Sequence, residues 1–146
     1  MKQLELTIGF IVNLESGKLD DLASLLAEDF LFCGPVFRPL NKYAFVHLLG
    51  AMRHGIPNWK SHFREVEVDG DFVRMTIEVT GAHLCTLHLP GMLPHPPTGE
   101  SFHLPPQQLE FFLVNDKIQR IHLEPVHGGW VDGIMEQLGI PFPAVN

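Results

Sequence analysis

Cysteine is scarce: only Cys33 and Cys85 occur in the 146 residues. Nothing in the spacing of that pair suggests a disulfide framework or a zinc site. Two reduced thiols are what a cytoplasmic protein carries, and that is the expected location. Basic charge is also thin. Ten Lys and Arg face seventeen Asp and Glu, a net charge of −7, and no Lys/Arg run exists. Nucleic-acid binding by phosphate neutralisation is not expected on that basis. No stretch approaches the ~20 consecutive apolar residues that cross a bilayer. The first residues hold one lysine and no long apolar core, so no signal peptide is expected. A membrane partner is therefore not expected either.

Apolar residues are plentiful, at 45% against 18% charged. That balance suits a globular chain with a sizeable core, and the length suits one domain over 1–146. Leu4, Ile8, Ile11 and Val12 have helical spacing, and Ser16-Gly17 ends that helix. Leu19, Leu22, Ala23 and Leu26 mark a second, with Asp20 and Asp21 favourable in its first turn. Phe30 to Cys33 reads as a short buried strand stopped by Gly34-Pro35. The clearest helix starts at the N-cap Asn41, carries Phe45, Leu48, Leu49 and Met52 on one face, and ends at Gly55.

Residues 61–68 and 72–80 form a hairpin about Asp69-Gly70-Asp71, with Val73, Met75, Ile77 and Val79 on the core face. Residues 84–106 hold Pro90, Pro94, Pro96, Pro97, Pro105 and Pro106, which no central strand tolerates. A long loop or broken edge strand follows, and such loops are often functional. Gln107 to Val126 is a second hairpin, turning at Asn115-Asp116. Val131, Ile134, Met135 and Leu138 make a short C-terminal helix closed by Gly139. Helices first and hairpins after give the class α+β.

The pieces Asp71-Phe72-Val73, Gly81-Ala82-His83, Pro97-Thr98-Gly99-Glu100, Asp116-Lys117-Ile118 and Gln137-Leu138-Gly139 fall in an order that resembles the SnoaL-like polyketide cyclase family. Ser-Gly-Lys-Leu-Asp-Asp-Leu near the N-terminus is similar to it as well. The resemblance covers most of the chain and extends to the NTF2-like superfamily. It implies a cystatin-like cone: a curved, mostly antiparallel sheet wrapped over N-terminal helices, enclosing an apolar cavity and pairing with a second copy through the sheet. It also implies cofactor-free acid/base chemistry on a polyketide ester by an Asp near the end of the last long strand. That position in this chain is Val126, and the segment after it, His127-Gly128-Gly129-Trp130, is longer than usual. Glu124 is the expected substitute on the strand, and Asp132 is the alternative from the helix.

His122 and Glu124, two residues apart, share one face of the second hairpin arm. An imidazole beside a carboxylate suits proton abstraction and return, and an apolar cavity tunes a carboxylate toward that work. His122 and Glu124 are thus the expected catalytic pair, on a small apolar carbonyl compound. The expected ligand lining is Phe32, Trp59 and Phe112, with His83 and His103 at the cavity mouth as neutral hydrogen-bonding groups. The other reading of the same strand puts Ile121 and Leu123 inward and the pair outward. Nine histidines are many, but no His-Glu-x-x-His motif occurs, so no metal is expected. A non-catalytic ligand-binding or dimerisation module is the alternative function.

Overall fold

The computed structural model describes residues 2–141. Met1 and residues 142–146, the ends of the expected 1–146 domain, lie outside the described residues. The chain opens with helices α1 (Lys2–Ser16) and α2 (Leu19–Ser24), then strands β1 (Leu26–Cys33) and β2 (Leu40–Asn41). Helix α3 (Lys42–Gly55) begins where the Asn41 side chain accepts the Ala44 N–H at 2.9 Å, the expected N-cap. Strands β3 (Lys60–Asp69) and β4 (Phe72–Ala82) form the first hairpin. A short β5 (Ser101–His103), then β6 (Gln107–Val114), β7 (Lys117–Leu123) and helix α4 (Trp130–Leu138) complete the chain.

One sheet runs in the order β2-β1-β7-β6-β4-β3, antiparallel except where β1 lies parallel to β7. Both β5 and β6 pair with β4: β6 along Phe72–Ile77 and β5 along Thr80–Ala82. Leu104-Pro105-Pro106 separates them, so the prolines break a strand at the point where its ladder also breaks. The β6–β7 turn holds Asn115 and Asp116 at φ 52° and 61°, the two left-handed residues that a tight hairpin turn requires.

Alternation fixes the faces. Val73, Met75, Ile77 and Val79 of β4, and Leu109, Phe111 and Leu113 of β6, are buried on one side. Helices α1 and α3 cover that side with an aromatic cluster. Phe45 stacks on Phe32 at 4.6 Å between centroids and tilts against Phe30 at 5.2 Å, while Phe10 meets Phe111 edge-on at 5.7 Å. The sheet curves around these rings, with irregularities in β1, β3 and β7 that bend the strands. This is the expected cone.

The proline-rich segment is pinned at both ends. Gly55 ends α3, and its carbonyl accepts the N–H groups of Leu84 and Cys85, each at 3.2 Å. A side chain at Gly55 would meet Leu87 at 2.8 Å, so only glycine lets the loop lie this close. At the far end the Gln137 amide brackets β5. It donates to the His103 carbonyl and accepts from the His103 N–H, both at 2.8 Å, which docks α4.

Candidate functional site

Where β1 leaves the sheet, the chain turns through Gly34 to Arg38 before α3 starts. The N-terminal half of α3, the Leu89–Met92 loop, Pro125 and the first turn of α4 surround the same space. Together they enclose a cleft of about 560 Å³. Its wall is Gly34, Pro35, Val36, Phe37, Leu40, Ala44, Leu48, Leu89, Pro90, Met92, Pro125, Trp130 and Val131, with one ionisable side chain, Asp132. A mostly apolar concavity with a single polar anchor is the usual form of a small-molecule site. Asp132 sits in the first turn of α4, where the helix N-terminus favours a negative charge. An acidic residue there is common for stability alone; its place on the wall of this cleft is the additional observation.

Behind the cleft the cone is closed. The space between sheet and helices is a void of about 40 Å³, walled by side chains such as Phe10, Phe45, Leu104, Leu109, Ile121 and Leu123. Its polar groups are engaged: Trp59 Nε1 donates to Ser61 Oγ at 3.0 Å, and Gln107 Nε2 donates to the Glu124 carbonyl at 2.9 Å. The void has room for only a few water molecules. Among the described residues, Trp130 alone lines both the cleft and this void. Its ring tilts against Phe32 at 5.2 Å. Its backbone holds φ 56°, a left-handed conformation that is rare for a bulky residue.

The expected catalytic pair lies elsewhere. Ile121 and Leu123 point into the void, 1% and 2% exposed, so His122 and Glu124 face outward. The cause is a register shift in β7: Ile118 pairs with Leu113 but Arg120 with Phe112, leaving Gln119 as an extra residue. One extra residue reverses the side on which every later residue points. Counting by twos from the buried Ile118 puts His122 and Glu124 inside; the bulge puts them outside. Nor are the two joined. His122 Nδ1 lies 3.4 Å from Glu110 Oε1, and Glu110 also accepts from Arg74 Nε at 3.0 Å. Glu124 accepts from the Gln108 N–H at 3.3 Å.

Of the expected lining, Phe32 and Trp59 border the small void. Phe112 stands on the outer face, against Phe72 and beneath Arg120. His103 is exposed, with Nε2 2.8 Å from Glu78 Oε2, while Arg64 donates to the other Glu78 oxygen at 2.6 Å. These two partners, His103 first, hold the Glu78 carboxyl below its ordinary 4.5. His83 borders neither space. It is fully buried at the base of the proline loop, with Nδ1 accepting from the Thr98 N–H at 3.2 Å. Nε2 has no hydrogen-bond partner. Burial lowers its pKa from 6.5, against the opposing pull of the His95 and Cys85 carbonyls. Among the described residues no three His, Cys, Asp or Glu are grouped to hold a metal. No helix among them is long and apolar enough to cross a membrane.

The residue with the best surroundings, Asp132, is the one the resemblance offers as the alternative from the helix. Trp130 and the loop residues Phe37, Leu89 and Met92 are lining residues that the sequence expectation lacks. Their signal was apolar side chains beside prolines and glycines, where a solvated loop has no need of them.

A sequence comparison with curated proteins returns no match. The fold is shared with a candidate SnoaL-like polyketide cyclase from Jannaschia sp. CCS1, at TM-score 0.74 and 15% identity over 96% of this chain and 93% of that one. It is shared with IdmH, a candidate polyketide cyclase from Streptomyces antibioticus, at 0.71 and 18% over 96% and 100%. An NTF2-like protein of unknown function from Cytophaga hutchinsonii ATCC 33406 matches at 0.59 and 15% over 83% and 87%. These likenesses establish an NTF2-like fold. The profile of the SnoaL-like domain matches residues 9–121, well over half of the sequence, and the chain belongs to that family.

Proposed function

We propose that this SnoaL-like protein binds a small apolar carbonyl compound in the outer cleft and acts on it as a cofactor-free acid/base isomerase or cyclase. Asp132 takes the role first expected of Glu124. The observation that carries the reading is one carboxylate on an otherwise apolar wall. A ligand filling the cleft displaces water from around Asp132 and leaves its carboxylate as the base nearest the ligand's acidic C–H. Candidate cyclases share the fold, and so does a protein of unknown function, so the fold does not settle the chemistry. A non-catalytic carrier with the same cleft is the competing reading.

The test is deuterium exchange at the α-carbon of a straight-chain methyl ketone, followed by NMR, with binding measured alongside. The native protein is expected to speed the exchange, and Asp132→Asn to lower the rate by ~10²–10⁴ while the ketone still binds. Glu124→Gln, altered on the outer face, is expected to match the native rate. Equal exchange in Asp132→Asn and the native protein overturns the assignment; binding with no acceleration in either favours the carrier.

The same proposal includes a homodimer through the outer sheet face. Leu31, Phe112 and Val114 stand exposed there at 37%, 37% and 47%, a stripe that a second copy would cover. It also includes a cytoplasmic location, in keeping with two cysteines that are free.

A further inference from the structure

We propose that Trp130 is the partition that sets how deep a ligand reaches, and so which sizes of apolar compound the protein accepts. The claim rests on the cleft being the ligand site. The cleft of about 560 Å³ and the void of about 40 Å³ share one lining residue among those described, Trp130. On its inner side the ring meets Phe32, which stacks on Phe45, so the partition rests on the aromatic cluster of the core. Beyond it the wall is mostly hydrocarbon, Leu104, Leu109 and Ile121 among it, and its polar side chains Ser61 and Gln107 are already hydrogen-bonded. Among the described residues no ionisable side chain lines that inner space, so whatever entered would do so as an apolar tail.

The backbone supports the assignment independently. Gly128 and Trp130 are both left-handed, at φ 80° and 56°, and Gly129 lies between them. Glycine accepts that conformation without strain, whereas tryptophan does not. The ring is therefore held at a position where a side chain is disfavoured, and what it does there is separate the two spaces. Gly129 and Gly133 explain how the turn fits. A side chain at Gly129 would strike the Gln107 amide at 2.8 Å, and one at Gly133 would run into the Gly128 carbonyl. The turn that presents Trp130 is thus packed tightly on both sides, and the indole is delivered as a fixed wall.

The test uses methyl-labelled full-length protein titrated with benzene and with methyl ketones from butanone to undecanone. Leu40, Leu48 and Leu89 report on the cleft alone; Leu104, Leu109 and Ile121 report on the void alone. In the native protein the ketones are expected to shift the cleft methyls and leave the inner methyls silent, and benzene to leave the inner methyls silent too. In Trp130→Ala both probes are expected to shift the inner methyls. Affinity should then rise by roughly fourfold for each methylene that gains entry. Trp130→Leu is the second opening variant if the alanine protein fails to fold, and Trp130→Phe, keeping a ring over Phe32, is expected to behave as native. Inner methyls that respond in the native protein overturn the partition and leave the cleft standing. Inner methyls silent in every folded opening variant overturn it as well. Cleft methyls silent to every ketone overturn the cleft as the ligand site, and the depth limit on its ligand falls with it.

Discussion

Asp132 and Glu124 are both exposed carboxylates near the end of the chain, and their surroundings separate them. Glu124 accepts a backbone N–H on the outer face, while Asp132 stands alone on an apolar wall. The family resemblance offers both in place of an Asp absent at Val126, with Glu124 first and Asp132 as the alternative. A carboxylate's usefulness depends on its neighbours in space, which here come from four separate segments. Phe45 was easier to read, because one apolar face of a capped helix has to be buried. It touches Phe10, Phe30 and Phe32 at once. Phe45→Ala is expected to cost ~3–5 kcal/mol, seen as a lower urea midpoint with an unchanged slope. Because Phe32 also carries Trp130, the same variant should loosen the floor of the cleft. A loss under 1 kcal/mol would mean that the rings pack well without it.

At the scale of elements, the four helices and both long hairpins of the described residues are visible in capping residues, glycines and alternation, because each of those signals is local. The faces of β7 were not visible. Ile118 and Ile121 are both buried, an odd spacing that only the extra residue Gln119 permits. A bulge leaves almost no mark in a sequence, yet it reversed His122 and Glu124. The local reading of the strand, with Ile121 and Leu123 inward, was the right one; parity carried over from the family was not. The second helix likewise stops at Ser24 and Leu26 already belongs to β1, since pairing with β7 outweighs a weak helical pattern. Helix α3 matters to the site because Ala44 and Leu48 in its first half line the cleft, beside Leu40 of β2. Asn41→Ala removes the bond to the Ala44 N–H and is expected to cost ~1 kcal/mol. Amide exchange should speed up in the first turn of α3 and stay unchanged at its end near Gly55. Uniform acceleration along the helix would show that the cap acts on the whole fold.

For the molecule as a whole, acid is expected to act first through His83. The native state keeps this imidazole neutral below its ordinary 6.5, because burial opposes the charged form. The unfolded chain takes up its proton near 6.5, so below that pH it binds more protons than the native state. Stability is therefore full above about 6.5 and declines as pH falls toward the lowered native value. Glu78 works in the same direction in a lower window. Its carboxylate is favoured by His103 and Arg64, so its contribution is present above 4.5 and is lost below that. Its partners are exposed, so this second contribution should fade in high salt, while the buried His83 effect should persist. Urea unfolding across pH 7 to 5 separates the two. His83→Asn, which can still accept from the Thr98 N–H, is expected to flatten the decline in that range, with protease cleavage within residues 84–100 no longer rising as pH falls. If His83→Asn keeps the native pH slope, the acid sensitivity does not originate at the base of the proline loop.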